Sequence, residues 1–348
     1  MSEAQSMSTR AAGDRIIEAR GLTVTFDMDR GESRVLDDVD IDVDREEILG
    51  IVGESGSGKS MLASALLDAV VEPGILTGDI TFYPRDGGEP IEILELNEEQ
   101  LKRFRWENVS MVFQGAMSSF NPTMKIGDHF RETLEAHKYD MASGMDRAYE
   151  LISELYMDPD RVLDSFPHEL SGGMKQRALI ALSLILEPDV LVMDEPTAAL
   201  DLLMQRSILT LIQNLQDRYD LTILFITHDL PLVANLADRL TVMYAFKLVE
   251  IGETDDVISG SAHPYTRALL KATPNLNVTI DEMRPIEGSS PDPVNVPAGC
   301  SYHPRCPLST ERCTNEVPHM HDAGEDHVTA CFHWDEIDEA IPLKIDRG

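Results

Sequence analysis

The first part of the chain alternates short apolar and polar runs. Residues 15–52 contain RIIEARGLTVTF, SRVLDDVDIDV and EEILGIV, a pattern that predicts short β-strands. A glycine-rich turn follows, after which KSMLASALLDAV has the apolar spacing of an α-helix. Strand and turn signals then continue through TGDITFYP.

The remainder of the chain falls into three stretches with different patterns. From Asn97 to about Leu186 the pattern is mostly helical, interrupted by VSMVF and PHELSGG. Strand-like and helical runs then alternate through DVLVMDEP, LLMQRSILTLIQNL, LTILFITH and RLTVMY, which predicts an α/β fold with a largely parallel sheet and a helical insertion at 97–186. Proline, glycine, histidine and all four cysteines concentrate in the last stretch. We therefore expect two domains, 15–262 and a small loop-rich one at 263–348.

Charge and apolar runs exclude several classes of protein. No apolar run approaches the ~20 residues that a bilayer span needs, and the start, MSEAQSMSTR, does not resemble an export signal. The formal net charge is −33, from 62 acidic and 29 basic residues, which disfavours nucleic-acid binding. Such a surface repels itself at low salt, whereas molar salt screens the repulsion. We interpret the chain as an intracellular protein of a halophile; an ordinary acidic protein is the alternative.

Residues 53–60, GESGSGKS, fit the phosphate-loop pattern and lie between a predicted strand and a predicted helix. Backbone N–H groups of such a loop surround phosphate oxygens, and the positive end of the following helix assists them. We expect Lys59 to reach the β- and γ-phosphates of ATP and the Ser60 hydroxyl to bind Mg²⁺. A flexible glycine turn is the alternative. The other predicted nucleotide-binding residues of the loop are Gly53, Ser55, Gly56, Ser57 and Gly58.

A second candidate is the apolar run at residues 190–193, which ends in two carboxylates. Asp194 is suited to hold Mg²⁺ through water, and Glu195 is suited to orient or deprotonate the water that attacks ATP. Because acids often close strands, this run alone is a weak signal. Its position downstream of the phosphate loop strengthens it.

The run LSGGMKQR, residues 170–177, precedes a long apolar helix and stands ahead of the acidic strand. Ser171, Gly172 and Gly173 form a second anion cradle at a helix N-terminus. In this position the run resembles the signature of ABC ATPases. The resemblance implies a P-loop core with an antiparallel β subdomain near the N-terminus. It also implies that two ATPase domains pair head to tail, with the LSGG loop of one over the γ-phosphate bound by the other.

Four further residues match the pattern of this family. Gln114, in MVFQ, resembles the glutamine that senses Mg²⁺ beside the transmembrane partner, and Asp201, in ALD, resembles the loop that links the two ATP sites. His228, in ITHDL, matches the switch histidine that contacts the γ-phosphate. Phe26 is placed like the aromatic side chain that stacks on adenine. Singly each is weak, since a lone histidine is more often structural and Phe26 also fits a core position.

Finer similarity extends over nearly the whole chain. GESGSGKS, HELSGGMKQR, HPYTRALLKATP and GCSYHPRCPLST resemble the ATPases of oligopeptide and dipeptide importers. That resemblance implies a peripheral subunit at the cytoplasmic face of the membrane, docked on two transmembrane permease subunits and paired with a second ABC ATPase, either itself or a paralogue. An extracellular solute-binding protein would supply the cargo, with oligosaccharides or nickel as alternatives to peptides. Two departures from the family pattern are Gly115-Ala116 after the glutamine and Phe246 where glycine is expected.

Two other classes of protein fit the sequence less well. A soluble ABC ATPase acting in DNA repair or on ribosomes would carry a coiled-coil insertion, tandem cassettes or basic surfaces, none of which the sequence contains. A P-loop kinase would lack the LSGG run and the switch histidine. Both are disfavoured.

The four cysteines, Cys300, Cys306, Cys313 and Cys331, predict a metal centre rather than disulfides, because an intracellular compartment keeps thiols reduced. The gaps of five, six and seventeen residues lack the paired knuckles typical of structural zinc. We therefore favour a [4Fe–4S] cluster, with zinc and unliganded structural cysteines as alternatives. Nearby histidines keep a mixed zinc site open: His303, His319, His321, His327 and His333.

Overall fold

The structure is a computed structural model that describes residues 14–113, 115, 119–198, 200–273 and 286–341. These residues divide into two units, one from Met1–Leu94 and Thr227–Gly348 and the other from Glu95–Ile226. The strands are β1 (Arg15–Met28), β2 (Gly31–Asp44), β3 (Ile48–Val52), β4 (Ile75–Phe82), β5 (Ile91–Glu92), β6 (Val109–Val112), β7 (Val190–Asp194), β8 (Thr222–Thr227), β9 (Arg239–Tyr244), β10 (Lys247–Glu253), β11 (His321–Gly324) and β12 (His327–Thr329).

Helices follow most of the predicted periodic runs. They are α1 (Lys59–Leu66), α2 (Glu98–Glu107), α3 (Ile126–Ala136), α4 (Met141–Glu154), α5 (Pro159–Asp164), α6 (Gly172–Ser183), α7 (Leu202–Tyr219), α8 (Leu230–Ala234), α9 (Thr254–Gly260), α10 (Pro264–Ala272), α11 (Glu311–Asn315) and α12 (Ile337–Ala340). Among the described helices, none combines the length and the apolar character required to cross a bilayer.

The first unit contains the antiparallel β subdomain. Four strands pair in the order β2-β1-β4-β5, and each neighbouring pair is antiparallel. Apolar residues of β1 that point to one face are fully buried, among them Ile17, Ala19, Leu22 and Val24. Register shifts between Ala19 and Val24 mark bulges that bend this long strand. The predicted antiparallel subdomain is confirmed.

A second set of strands in the same unit carries the phosphate loop. Strand β3 pairs with β9 in parallel, and β9 continues through a hairpin into β10. All five residues of β3 are buried, as expected for a strand covered on both faces. The C-terminal region, residues 286–341, adds β12 antiparallel to β10, with β11 outside it. This pairing was not anticipated, because HDAG and HVT are too short and polar to register as strands.

The second unit contains the helical insertion. Strands β6, β7 and β8 are parallel neighbours in that order, and α2 to α6 precede β7. Polar side chains begin several of these helices by accepting hydrogen bonds from backbone N–H groups: Asn97, Asp140, Asp158, Ser171 and Asp201. The predicted α/β class with parallel strands and a helical insertion is confirmed.

One ion-paired cluster is buried in the first unit at the start of β9. The Arg239 guanidinium is 3.0 Å from Oε1 of Glu47 and 3.4 Å from Oδ2 of Asp44. All three side chains are 3% exposed. Burying a charge is costly unless it is paired. Removing any one of these three side chains would therefore leave unbalanced charge in the protein interior.

Candidate functional site

The phosphate loop lies between β3 and α1, as its motif requires. Gly53, Gly56 and Gly58 have φ values of 155°, 79° and 105°, a backbone region that favours glycine. A Cβ atom at Gly53 would lie 2.3 Å from the carbonyl oxygen of Met243, whereas one at Gly56 would meet no atom within 4 Å. The loop is thus packed tightly at its base and open at its tip. A polyphosphate can approach the backbone there without meeting a side chain.

Lys59 is the first residue of α1 and is buried. Its ammonium nitrogen donates to the carbonyl oxygens of Gly53 at 2.8 Å and Glu54 at 2.9 Å, which holds it across the loop. Ser57 is also buried, and its hydroxyl has no hydrogen-bond partner among the described residues. Ser55 and Ser60 are exposed. A buried cation, an unused hydroxyl and a helix N-terminus fit the polyphosphate of a nucleotide.

Phe26 lies in the same unit as the loop, near the end of β1. The ring is half-buried and lies close to Gly74, where a Cβ atom would come within 2.7 Å of ring atom Cζ. Gly74 therefore leaves space for the ring. The partial exposure of the ring is compatible with stacking on a base.

Phe246, which stands where the family pattern has glycine, lies in a turn whose backbone favours glycine. Ala245 and Phe246 form the two-residue turn between β9 and β10, with φ values of 47° and 72°. Such turns favour glycine because both central residues need positive φ. The Phe246 backbone N–H donates to the carbonyl of Ser57 at 3.0 Å, so the strained residue is fixed against the phosphate loop.

In the second unit, Asp194 ends the buried strand β7 and is itself 4% exposed. Glu195 follows with φ of 49°, a left-handed conformation that is uncommon outside glycine. Its backbone N–H donates to the Ile226 carbonyl at 2.9 Å. Strained residues of this kind cluster at functional sites, because the surrounding structure must hold them in place.

The LSGG run begins α6 as predicted. Ser171 is exposed and caps the helix, with its hydroxyl accepting from the Met174 N–H at 3.3 Å. Gly173 is buried, and a Cβ atom there would lie 1.9 Å from Cε of Met204 at the start of α7. Glycine therefore lets the Met204 side chain pack against the first turn of α6.

The remaining predicted residues are distributed over both units. Asp201 caps α7, because its Oδ1 accepts from the Leu203 and Met204 N–H groups, a structural role that the sequence analysis did not assign. His228 is exposed directly after β8 and belongs to the first unit. Gln114 lies outside the described residues, as does Ala116 of the Gly115-Ala116 departure.

The cysteine segment belongs to the first unit. Burial raises the pKa of Cys306 to about 11 and that of Cys331 to about 12, and the charges of Cys300 and Cys313 add to both shifts. Among the described residues, which include all four cysteines, no group of three or more His, Cys, Asp or Glu side chains is arranged to hold a metal ion. The prediction of a metal centre is thus without support from the structure.

Two family models match successive parts of the chain. A model described as ABC transporter covers residues 36–198, and one described as Oligopeptide/dipeptide transporter, C-terminal region covers 249–313. The protein named Dipeptide transport ATP-binding protein DppD of Caldanaerobacter subterraneus is 38% identical over 94% of this chain and 99% of its own length. The chain belongs to the family of ABC transporter ATP-binding proteins. The predicted family and its ATPase activity are confirmed.

Another sequence relative and two solved structures are also similar to this ABC ATPase. Oligopeptide transport ATP-binding protein OppD of Escherichia coli is 38% identical over 92% of this chain and 93% of its own. A solved dimeric bacterial ABC transporter cassette aligns with TM-score 0.60 at 24% identity, covering 69% of this chain and 99% of that one. The cbiO1 cassette of Clostridium perfringens aligns with TM-score 0.59 at 25% identity, covering 71% and 92%. These structures agree with the predicted ABC ATPase fold.

Glu54 of this ABC ATPase lies within the phosphate loop, but its side chain has no predicted role in the sequence pattern. Burial acts to raise its pKa, but hydrogen bonds from Arg305 and Ser290 and the charges of Arg305 and Lys59 lower it below the usual value. Arg305 lies far away in sequence, within the C-terminal region, so no local motif could have paired the two.

Replacing Lys59 with alanine removes the buried cation of the loop. We expect Lys59→Ala to weaken ATP binding roughly 10- to 100-fold, since a charged hydrogen-bonding partner contributes ~1.5–3 kcal/mol. Equilibrium titration with a fluorescent nucleotide measures this. Lys102→Ala, at an exposed lysine of α2, is the matched control and should bind normally. Equal affinity in both variants would contradict the role of Lys59.

Proposed function

We propose that this chain is the ATP-hydrolysing subunit of an importer for dipeptides and oligopeptides. The observation that carries this proposal is the extent of the similarity, which continues beyond the ATPase core into residues 249–313. That segment matches the C-terminal region of oligopeptide and dipeptide transporters. Relatives named for dipeptide or oligopeptide transport are 35–39% identical over more than nine-tenths of this chain.

The predicted site residues have separate roles in ATP binding and hydrolysis. The phosphate loop and Lys59 bind the phosphates of ATP, with Phe26 against the adenine and His228 sensing the γ-phosphate. Glu195 orients the attacking water and accepts its proton. The left-handed backbone conformation of Glu195, directly after β7, fixes the position of this residue. Ser60, Gln114 and Asp194 are the residues that would hold Mg²⁺, which when bound neutralises charge on the phosphates.

Such a subunit works within a larger complex. Its partners are two transmembrane permease subunits, a second ABC ATPase that receives the LSGG loop, and an exported solute-binding protein that delivers the peptide. Ser171 and the apolar side chains of Leu202 and Leu203 are exposed, which suits pairing with a second ATPase. The chain would then lie at the cytoplasmic face of the membrane.

A reconstituted importer tests both the cargo and the role of Glu195. The chain, the proposed permease subunits and their solute-binding protein are placed in lipid vesicles, and ATP hydrolysis is measured with di- and oligopeptides, oligosaccharides or nickel. Peptides should stimulate hydrolysis. Glu195→Gln should keep ATP binding, trap a closed ATPase pair and lower turnover by at least ~100-fold, because it removes the general base.

Glu187→Gln is the matched control for that experiment. Glu187 also has positive φ, 54°, but it is exposed and precedes β7 instead of following it. Its variant should turn over ATP normally. Near-wild-type hydrolysis by Glu195→Gln would remove Glu195 from the mechanism, and stimulation by sugars or nickel alone would replace the peptide assignment.

We further propose that the four cysteines bind a [4Fe–4S] cluster with a structural or regulatory role. Support comes from the clustering of the thiols: the charges of neighbouring cysteines contribute to the raised pKa values of Cys300, Cys306 and Cys331, although the four are not arranged around a single ion. A cluster whose four irons occupy separate corners suits ligands that do not converge on one point.

The colour of anaerobically purified protein tests the cluster. We expect a brown protein with broad absorption near ~400 nm and about four irons per chain, as a cubane cluster implies. Cys306→Ser should lower the iron content, and Ser309→Ala, at a nearby hydroxyl, should not. A colourless protein with one zinc per chain would make the iron assignment wrong.

We also propose that the −33 charge is an adaptation to high salt, supported by the excess of 62 acidic over 29 basic residues. Because the Debye length falls to ~3 Å at 1 M salt, the fold should be lost near ~50 mM KCl and recovered near ~2 M KCl. Circular dichroism across a KCl series measures this. Equal stability at both ends of the series would contradict the proposal.

A further inference from the structure

A carboxylate lies inside the phosphate loop of this protein. Glu54 directly follows Gly53, and its backbone carbonyl is one of the two that hold Lys59. A negative side chain at the edge of a polyphosphate site opposes anion binding, because like charges repel more strongly near protein than in open water. The loop therefore needs a way to neutralise Glu54.

Arg305, from the C-terminal region, meets this carboxylate with two parallel hydrogen bonds. Its two terminal nitrogens, Nη1 and Nη2, donate to Oε2 and Oε1 of Glu54 at 2.8 Å and 2.9 Å. The Ser290 hydroxyl donates to the same Oε2 at 3.0 Å. Arg305 is only 7% exposed and Glu54 23%, so solvent screens the pair weakly.

The Arg305 guanidinium also contacts other groups of the C-terminal region and of β9. Its Nε donates to the Glu287 carbonyl at 2.7 Å. Its carbon lies 5.6 Å from the ring centroid of Tyr244 and 5.9 Å from that of Tyr302. The side chain is therefore held in one position, so its planar fork is pre-organised for the carboxylate.

The loop backbone is anchored to the same group of residues. The Glu54 N–H donates to the Tyr265 hydroxyl at 2.8 Å. The ring of Tyr265 packs against those of Tyr244 and Tyr302, at centroid distances of 4.5 Å and 5.4 Å. Backbone and side chain of Glu54 are both tied to this aromatic cluster, and all of these residues belong to the first unit.

We propose that Arg305 is a positioning residue for nucleotide binding: by neutralising and holding Glu54, it keeps the phosphate loop open to the negative charge of ATP. The C-terminal region then sets the nucleotide affinity of the ATPase core. This inference rests on ATP binding at the phosphate loop and not on the identity of the cargo.

The experiment compares the affinity for ATP of the full-length wild type, Arg305→Met, Glu54→Gln and the double variant. Arg305→Met leaves Glu54 charged and unneutralised, so ATP binding should weaken about tenfold while kcat at saturating ATP stays within about twofold. The double variant removes that charge as well and should recover affinity to within about threefold of the wild type. A role limited to anchoring the C-terminal region predicts no such recovery.

Two further variants serve as controls. Arg312→Met removes an arginine of the same region that stacks on Phe332 at 3.9 Å and pairs with Glu316 at 3.0 Å. Because it makes these contacts away from the loop, its affinity for ATP should stay within about twofold of the wild type. Arg305→Lys keeps the charge but loses the two-pronged contact, so its affinity should be intermediate.

Wild-type affinity in Arg305→Met, or a double variant as weak as Arg305→Met, would overturn the proposal. If Arg305→Met does not fold by circular dichroism, Arg305→Lys and the double variant decide the question by the same comparison. Failure of ATP binding itself is distinguishable, since the wild type would then bind no better than Lys59→Ala.

Discussion

Strand β3 is the constraint on which the nucleotide site depends. Its five residues are all buried, and a Cβ atom at Gly50 would lie 2.6 Å and 2.7 Å from Val233 and Leu240, so the strand has little room to move. The chain can leave this strand for α1 only through backbone conformations that favour glycine, as at Gly53 and Gly58. A rigid strand and a permissive turn together expose backbone N–H groups at a helix N-terminus, which is what an anion needs.

The C-terminal region is integrated with this arrangement. Strand β12 pairs with β10, and Arg305 contacts Glu54 of the phosphate loop directly. Buried polar groups support the connection: Glu250 in β10 bonds His327 of β12 at 2.8 Å, and both are nearly inaccessible to solvent. Separating the region would break this buried hydrogen bond and the strand pairing beside it, which is costly. The region therefore belongs energetically to the unit that contains the phosphate loop.

Charge acts on two scales in this protein. Over the whole surface the excess of acidic groups is a long-range repulsion that salt can screen. Inside the first unit, Arg239 and Arg305 each offset carboxylates that are largely removed from water, where screening by salt is weak. Arg239 and Arg305 are therefore placed where mobile ions cannot substitute for them.

The sequence by itself determined the α/β class, the phosphate loop, the LSGG run and the acidic strand end, because each is a local pattern whose chemistry needs neighbouring residues. It did not reveal the left-handed conformation of Glu195, the capping role of Asp201 or the turn at Phe246, since these follow from backbone geometry that packing imposes. Only the tertiary structure paired Glu54 with Arg305, 251 residues apart. Such contacts are set by how strands and loops pack across the unit, and no spacing along the chain encodes them.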